Sequence, residues 1–139
     1  MSIGYGGYAY LISEDISSVL YEYGAFNWNI PRCANKDNVC DGFMIVNREC
    51  FIEPEIHQKM KKMPSGRKRL IIKCIPKDVD ISQNLKDGKI AIENCSHCWQ
   101  FGFDPGEEKI DIMALRLLNE IFRKYQEKSE IPKKVSIFC

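Results

Sequence analysis

The feature that most restricts this chain is a run of apolar residues near its C-terminus. Ile110, Met113, Ala114, Leu117, Leu118, Ile121, Phe122 and Tyr125 recur at steps of three and one. That spacing puts all of them on one side of an α-helix about four turns long. Arg116, Asn119, Glu120, Arg123 and Lys124 take the opposite side. Ahead of the stripe, Asp104-Pro105-Gly106-Glu107 has the form of a capping sequence, with an acid three residues after Asp104. Pro132 prevents the helix from continuing. A stripe this long needs a second apolar surface to cover, and the rest of the chain supplies it mainly as strands.

Residues 5–13 and 18–23 are rich in aromatic and β-branched side chains and flank the polar pair Glu14-Asp15, the pattern of a hairpin. Tyr8, Tyr10 and Ile12 alternate with Ala9, Leu11 and Ser13, so neither face of the first strand is purely polar. Residues 27–41 read as a loop. Gly42-Phe43-Met44-Ile45-Val46-Asn47 is a third strand, and its hydrophobic continuity points to a central position. Glu53-Pro54-Glu55 opens an expected helix with the stripe Ile56, Met60 and Met63, stopped by Pro64-Ser65-Gly66. Strands are expected at 67–75, 89–93 and 135–138. Between them lie a polar connection at 76–88, with room for a short turn of helix, and a loop at 95–106. The sum is an α+β fold: a mainly antiparallel sheet of about five or six strands, the long C-terminal-half helix packed on one face, and a shorter second helix. At 139 residues one domain spanning 1–139 is expected.

The N-terminus lacks the basic and apolar segments of a signal peptide, and no window reaches the roughly 18 apolar residues of a membrane span. The seven cysteines are Cys33, Cys40, Cys50, Cys74, Cys95, Cys98 and Cys139, an odd number that cannot pair fully within the chain. A cytoplasmic protein with free thiols and no membrane association fits this usage. Cys50 and Cys74, set among apolar residues, read as small buried hydrophobes.

Cys95-Ser96-His97-Cys98 is the strongest local pattern. Two thiolates at this spacing can bite one zinc ion, but a tetrahedral site needs two more ligands. Cys33, Cys40, Cys139 and His57 are the candidates. Redox chemistry is disfavoured because Trp99-Gln100-Phe101-Gly102 does not open a helix. Plain thiols at a turn are the simplest reading, with no cofactor. No phosphate-binding glycine loop or nucleophile signature is present, so no catalytic residue is assigned.

Net charge is only +1, which excludes a uniformly basic protein. The layout is uneven. Residues 56–77 hold Lys59, Lys61, Lys62, Arg67, Lys68, Arg69, Lys73 and Lys77 and no acid, a charge of +8 against −7 elsewhere. The bland reading is a helix end and an exposed strand start, both of which collect lysine. The functional readings are an acidic protein partner or a phosphate backbone. Nucleic acid ranks lower because the window has no aromatic residue to stack on bases. Seven of the fifteen aromatics fall in the first 28 residues, where they could form either sheet packing or a protein-binding face.

The segments Cys50-Phe51-Ile52-Glu53-Pro54-Glu55-Ile56-His57, Met63-Pro64-Ser65-Gly66-Arg67-Lys68 and Ile92-Glu93-Asn94-Cys95-Ser96-His97-Cys98-Trp99 resemble those of an uncharacterised family of small bacterial proteins. The resemblance runs from about Tyr21 onward and brings no catalytic residues with it. In size, compartment and lack of catalytic motifs the chain also resembles cytoplasmic immunity proteins of bacterial toxin systems, a likeness of type without a diagnostic motif. The expectation is a protein-binding module that occludes a partner such as a toxin domain. Lys62, Arg67, Lys68 and Arg69 would steer the partner in, and Tyr8, Tyr10 and Trp28 would make the buried contact. The alternative is a zinc-stabilised or nucleic-acid-associated module using Cys95, Cys98 and the basic window.

Overall fold

The structure, a computed structural model, describes residues 4–103 and 109–138. In chain order its elements are β1 (Tyr5–Glu14), β2 (Ser18–Asn27), β3 (Gly42–Asn47), β4 (Glu55–Lys62), β5 (Lys68–Ile75), α1 (Ile81–Lys86), β6 (Ile90–Glu93), β7 (Phe101–Phe103), β8 (Lys109–Asp111), α2 (Ile112–Lys128) and β9 (Lys134–Phe138). Two 3₁₀ turns, Pro31–Cys33 and Arg48–Cys50, lie in the connections.

The expected β1–β2 hairpin forms, and its turn is chemically closed. Asp15 Oδ1 accepts from the amides of Ser17 and Ser18, both at 2.7 Å, so a short polar gap suffices to reverse the chain. These donors hold the Asp15 carboxyl below its ordinary pKa. β3 joins β2, β6 joins β3 and β9 joins β1, every pairing antiparallel, giving the order β6-β3-β2-β1-β9. β3 is thus an interior strand as expected, while β2 holds the centre.

Period-two alternation decides what this sheet buries. Ala9, Tyr21, Tyr23, Met44, Val46, Ile90 and Val135 face α2 and meet Met113, Ala114, Leu117, Leu118, Ile121 and Phe122 in one buried cluster. Each large side chain fully removed from water here stabilises by roughly 1.5–3 kcal/mol. Glycine permits close approach both between sheet and helix, at Gly7, and between neighbouring strands, at Gly42. A Cβ on Gly7 would lie 2.6 Å from Met113 Cγ, and one on Gly42 would lie 2.3 Å from the Tyr23 ring.

The long helix is shorter at its start than the sequence pattern indicates. Ile110 belongs to β8, which pairs with β7, and α2 begins only at Ile112. Its N-cap is Asp111, whose Oδ1 accepts from the Met113 amide at 3.0 Å. The capping sequence expected at 104–107 lies outside the described residues. At the other end Ser129, in the left-handed region at φ 55°, donates its amide to Tyr125 O at 2.7 Å.

The expected helix opening at Glu53 does not form. That segment is the strand β4, which pairs along its whole length with β5. Ile56 and Met60 are four apart, which suits one helix face and one strand face equally. The alternation of Lys59 and Lys61 with Met60 and Lys62, and the partner strand across the Met63-Pro64-Ser65-Gly66 turn, resolve the ambiguity toward strand. Gly66, at φ +84°, supplies the turn's left-handed residue. The shorter second helix is instead α1, within the 76–88 connection, capped by Asp80 Oδ1 on the Gln83 amide at 3.0 Å. The 95–106 segment, expected as loop, contains β7. No helix among the described residues is long and apolar enough to cross a membrane.

Candidate functional site

The basic window is one object. β4 and β5 form a two-stranded arm in which every residue is exposed. The register sorts its side chains into two faces. Ile56 opposes Cys74, Gln58 opposes Ile72 and Met60 opposes Leu70 on the first; Glu55 opposes Ile75, His57 opposes Lys73, Lys59 opposes Ile71 and Lys61 opposes Arg69 on the second. The first face is therefore apolar up to a Lys62–Lys68 pair at the tip, and the second carries Lys59, Lys61, Arg69 and Lys73 beside Glu55, His57, Ile71 and Ile75. Lys62, Arg67, Lys68 and Arg69, the residues expected to steer a partner, gather at the tip. Cys74, expected to be buried, is exposed on the apolar face. His57, expected on a helix, stands on this arm with Nε2 3.0 Å from Glu55 Oε1.

The arm is poorly built for its own stability. Lys62 faces Lys68 and Lys61 faces Arg69, and like charges directly opposite weaken a strand pair. An isolated two-stranded hairpin is marginal in water even without that burden. Its base is anchored instead. Phe51, ahead of β4, packs edge-on against Phe122 and Tyr125 of α2 with centroids 5.3 and 5.2 Å apart, and Tyr125 donates to Glu53 Oε1 at 2.9 Å. Behind β5, the Lys77 amide donates to Gln126 Oε1 at 2.7 Å, and Gln126 Nε2 donates back to Lys77 O at 2.6 Å. Both legs of the arm are thus held by one stretch of α2.

The second surface is the sheet face turned away from α2. Tyr8, Tyr10, Phe26, Trp28 and Phe138 stand together there, with Asn35 and Asn38, around a cavity of about 250 Å³. Phe26 is the hub, with ring centroids 6.0 Å from Tyr8, 5.2 Å from Trp28 and 5.8 Å from Phe138. Trp28 and Phe138 are 63% and 69% exposed, whereas Tyr8 is only 7% exposed. Asn35 explains the difference. Its Nδ2 donates to Ala25 O and Val39 O at 3.0 Å, and its Oδ1 accepts from the Val39 amide at 2.8 Å, which folds the 27–41 loop over Tyr8. The Tyr8 hydroxyl donates to Asn38 Oδ1 at 3.0 Å. Burial, with Cys40 and Tyr10 nearby, pushes that hydroxyl up to about 12. Of the three aromatics expected to touch a partner, Trp28 is the one fully available, Tyr10 is half-buried and Tyr8 serves as packing. Lys134 Nζ sits 5.5 Å from the Tyr10 ring centre.

The cysteine pair lies elsewhere, next to the start of α2. Cys95 is buried and Cys98 half-buried at a turn held by the Ser96 amide donating to Asp41 Oδ1 at 2.9 Å. Asp111 is 1% exposed and comes with them: one ligand-type atom from each of Cys95, Cys98 and Asp111 lies within 4.8 Å of the others. Tyr23 donates its hydroxyl to Asp111 Oδ2 at 3.0 Å and accepts from the Cys95 amide at 2.9 Å. Cys95 Sγ is 3.6 Å from the same Oδ2. Burial raises the pKa of Asp111 and of Cys95, and pushes the Cys98 thiol up to about 12. Cys33 adjoins the group, its Sγ 3.6 Å from Cys98 O. Of the other expected zinc ligands, Cys40 Sγ is 3.9 Å from its near neighbour Asn38 O, His57 is on the arm, and Cys139 lies outside the described residues. Sequence reasoning passes over Asp111 as one acid among many; the signal was its place directly before the true helix start.

Set against known proteins, the chain finds no matching family model, no similar curated protein and no similar solved structure.

Proposed function

We propose that this chain is a protein-binding module that works by covering an acidic partner with the β4–β5 arm. The observation that carries the reading is the arm itself: wholly exposed, apolar on one face, with cations on the other and at the tip. Ile56, Met60 and Ile72 are more than half exposed, and Leu70 nearly half, an apolar group beyond what isolated surface residues account for. An amphipathic strand pair of this kind can extend a partner's sheet edge or lie across its surface. The cationic residues would speed encounter with an acidic surface, and the apolar face would supply the contact area. Trp28 and Phe138 offer a second contact patch. An immunity protein that occludes a toxin domain is the type of protein this arrangement suits.

The test is association kinetics against a partner recovered with the chain as bait. Replacing Arg67 and Arg69 by glutamate is expected to slow association by at least about tenfold at low salt, while replacing Met60 and Leu70 by serine speeds dissociation. Unchanged rates in both variants would overturn the reading. A second reading has one observation in its favour: a two-stranded ribbon has the dimensions that a DNA major groove admits. It predicts binding to generic duplex with a steep salt slope, whereas the protein-binding reading predicts none.

A further inference from the structure

We propose that Cys95, Cys98 and Asp111 form a binding site for a soft divalent cation of the zinc class, closing the junction between the sheet and the start of α2. Three observations converge on it.

The first is geometry. The two sulfurs and one carboxylate oxygen already lie within 4.8 Å of one another, and ligands around a tetrahedral zinc ion lie within about 4 Å of each other. Only a small contraction separates the present arrangement from a bound one. The second is charge. Asp111 is 1% exposed, and its side-chain hydrogen-bond partners are Tyr23, Cys95 and the Met113 amide, all neutral donors. A buried carboxylate normally meets a cation, either a basic side chain or a metal ion. Exchange of the two thiol protons for one divalent ion leaves the total charge of the group unchanged and gives the carboxylate its counter-charge. The third is support around the ligands. Asp111 Oδ1 is fixed by the helix cap, which leaves Oδ2 for the metal with Tyr23 as its outer donor, and Asp41 holds the turn that carries the thiols. Two sulfurs with one oxygen select zinc over magnesium or calcium. Water completes the coordination.

The probe is cobalt(II), then zinc, added to the reduced chain carrying no histidine tag. The expected result is one cobalt per chain, with a thiolate-to-cobalt charge-transfer band and the visible bands of tetrahedral cobalt, both abolished by zinc. Cys98→Ser should remove the charge-transfer band or weaken it several-fold, and Asp111→Asn, which removes a ligand and not merely a group that orients one, should weaken cobalt affinity at least about tenfold. Cys74→Ser, on the exposed arm, should leave the spectrum unchanged. Absence of the bands, or bands of undiminished intensity in Cys98→Ser, overturns the proposal. Because the variants could lose their fold, the unaltered chain supplies a second readout. Zinc should slow alkylation of Cys95 and Cys98 at least about tenfold without altering Cys74. Equal labelling with and without zinc overturns the site.

Discussion

The body of this molecule and its arm are both amphipathic, and they treat their apolar faces in opposite ways. Leu117, Leu118 and Ile121 on α2 are fully covered by the five-stranded sheet. Ile56, Met60, Leu70 and Ile72 on the arm stand in solvent. The body opposes apolar side chains across its strands, as in Tyr21 with Met44 and Tyr23 with Ala9. The arm opposes lysine with lysine and lysine with arginine. An element that carries apolar surface without burying it, and repulsive pairs without relieving them, adds little to the stability of the free chain. Stability resides in the body, and the arm is presented by it.

The largest expected effect tests that division directly. Leu117→Ala should cost about 2–5 kcal/mol in denaturant unfolding, because it empties a fully enclosed position. Ile72→Ala should fall within about 0.5 kcal/mol, as exposed substitutions do. Equal costs would erase the contrast. Next is the clamp between the two regions. Gln126→Ala removes both hydrogen bonds to Lys77 and should cost about 1–3 kcal/mol, with faster amide exchange concentrated at Lys77. A uniform loss of protection across the body would mean that Gln126 supports the core rather than the arm.

Legibility from sequence followed the same division. The stripe on α2 could be read because burial on one face imposes a period that only a helix satisfies. The β1–β2 hairpin could be read because Glu14-Asp15 interrupts two aromatic runs. The arm was misread because nothing buries either of its faces. With exposed positions on both sides, Ile56 and Met60 fit either period, and the deciding information was the pairing with β5 across the turn. Asp111 was missed for a related reason. Its partners Tyr23 and Cys95 are 88 and 16 residues away, and no local pattern marks such a meeting. Asn35 has the same character: one loop asparagine determines that Tyr8 packs while Trp28 remains available.

A smaller effect separates the two ends of the aromatic patch by pH. The Tyr8 hydroxyl is raised to about 12, so above pH 10 the unfolded chain ionises first and the folded chain keeps its proton. Stability is therefore expected to fall as pH rises from about 10 toward 12, and Tyr8→Phe should flatten that fall. Tyr21, raised mainly by burial with Glu14 contributing, acts in the same direction. An unfolding midpoint that holds steady across this window, or falls as steeply in Tyr8→Phe, would contradict the burial of Tyr8. The smallest expected effect is at Trp28. Trp28→Ala should alter stability by no more than about 1 kcal/mol, since the ring is mostly exposed, while weakening partner binding if the patch contributes.

The central claim is that the arm folds on the body but waits for a partner. Amide hydrogen exchange, measured residue by residue on the free chain and again with the partner bound, tests it most directly. The expected result is rapid exchange along β4 and β5 in the free chain, slow exchange in β1, β2, β3 and α2, and protection gained along the arm on binding. Arm amides as slow as those of the body in the free chain, or unaltered by the partner, would contradict it.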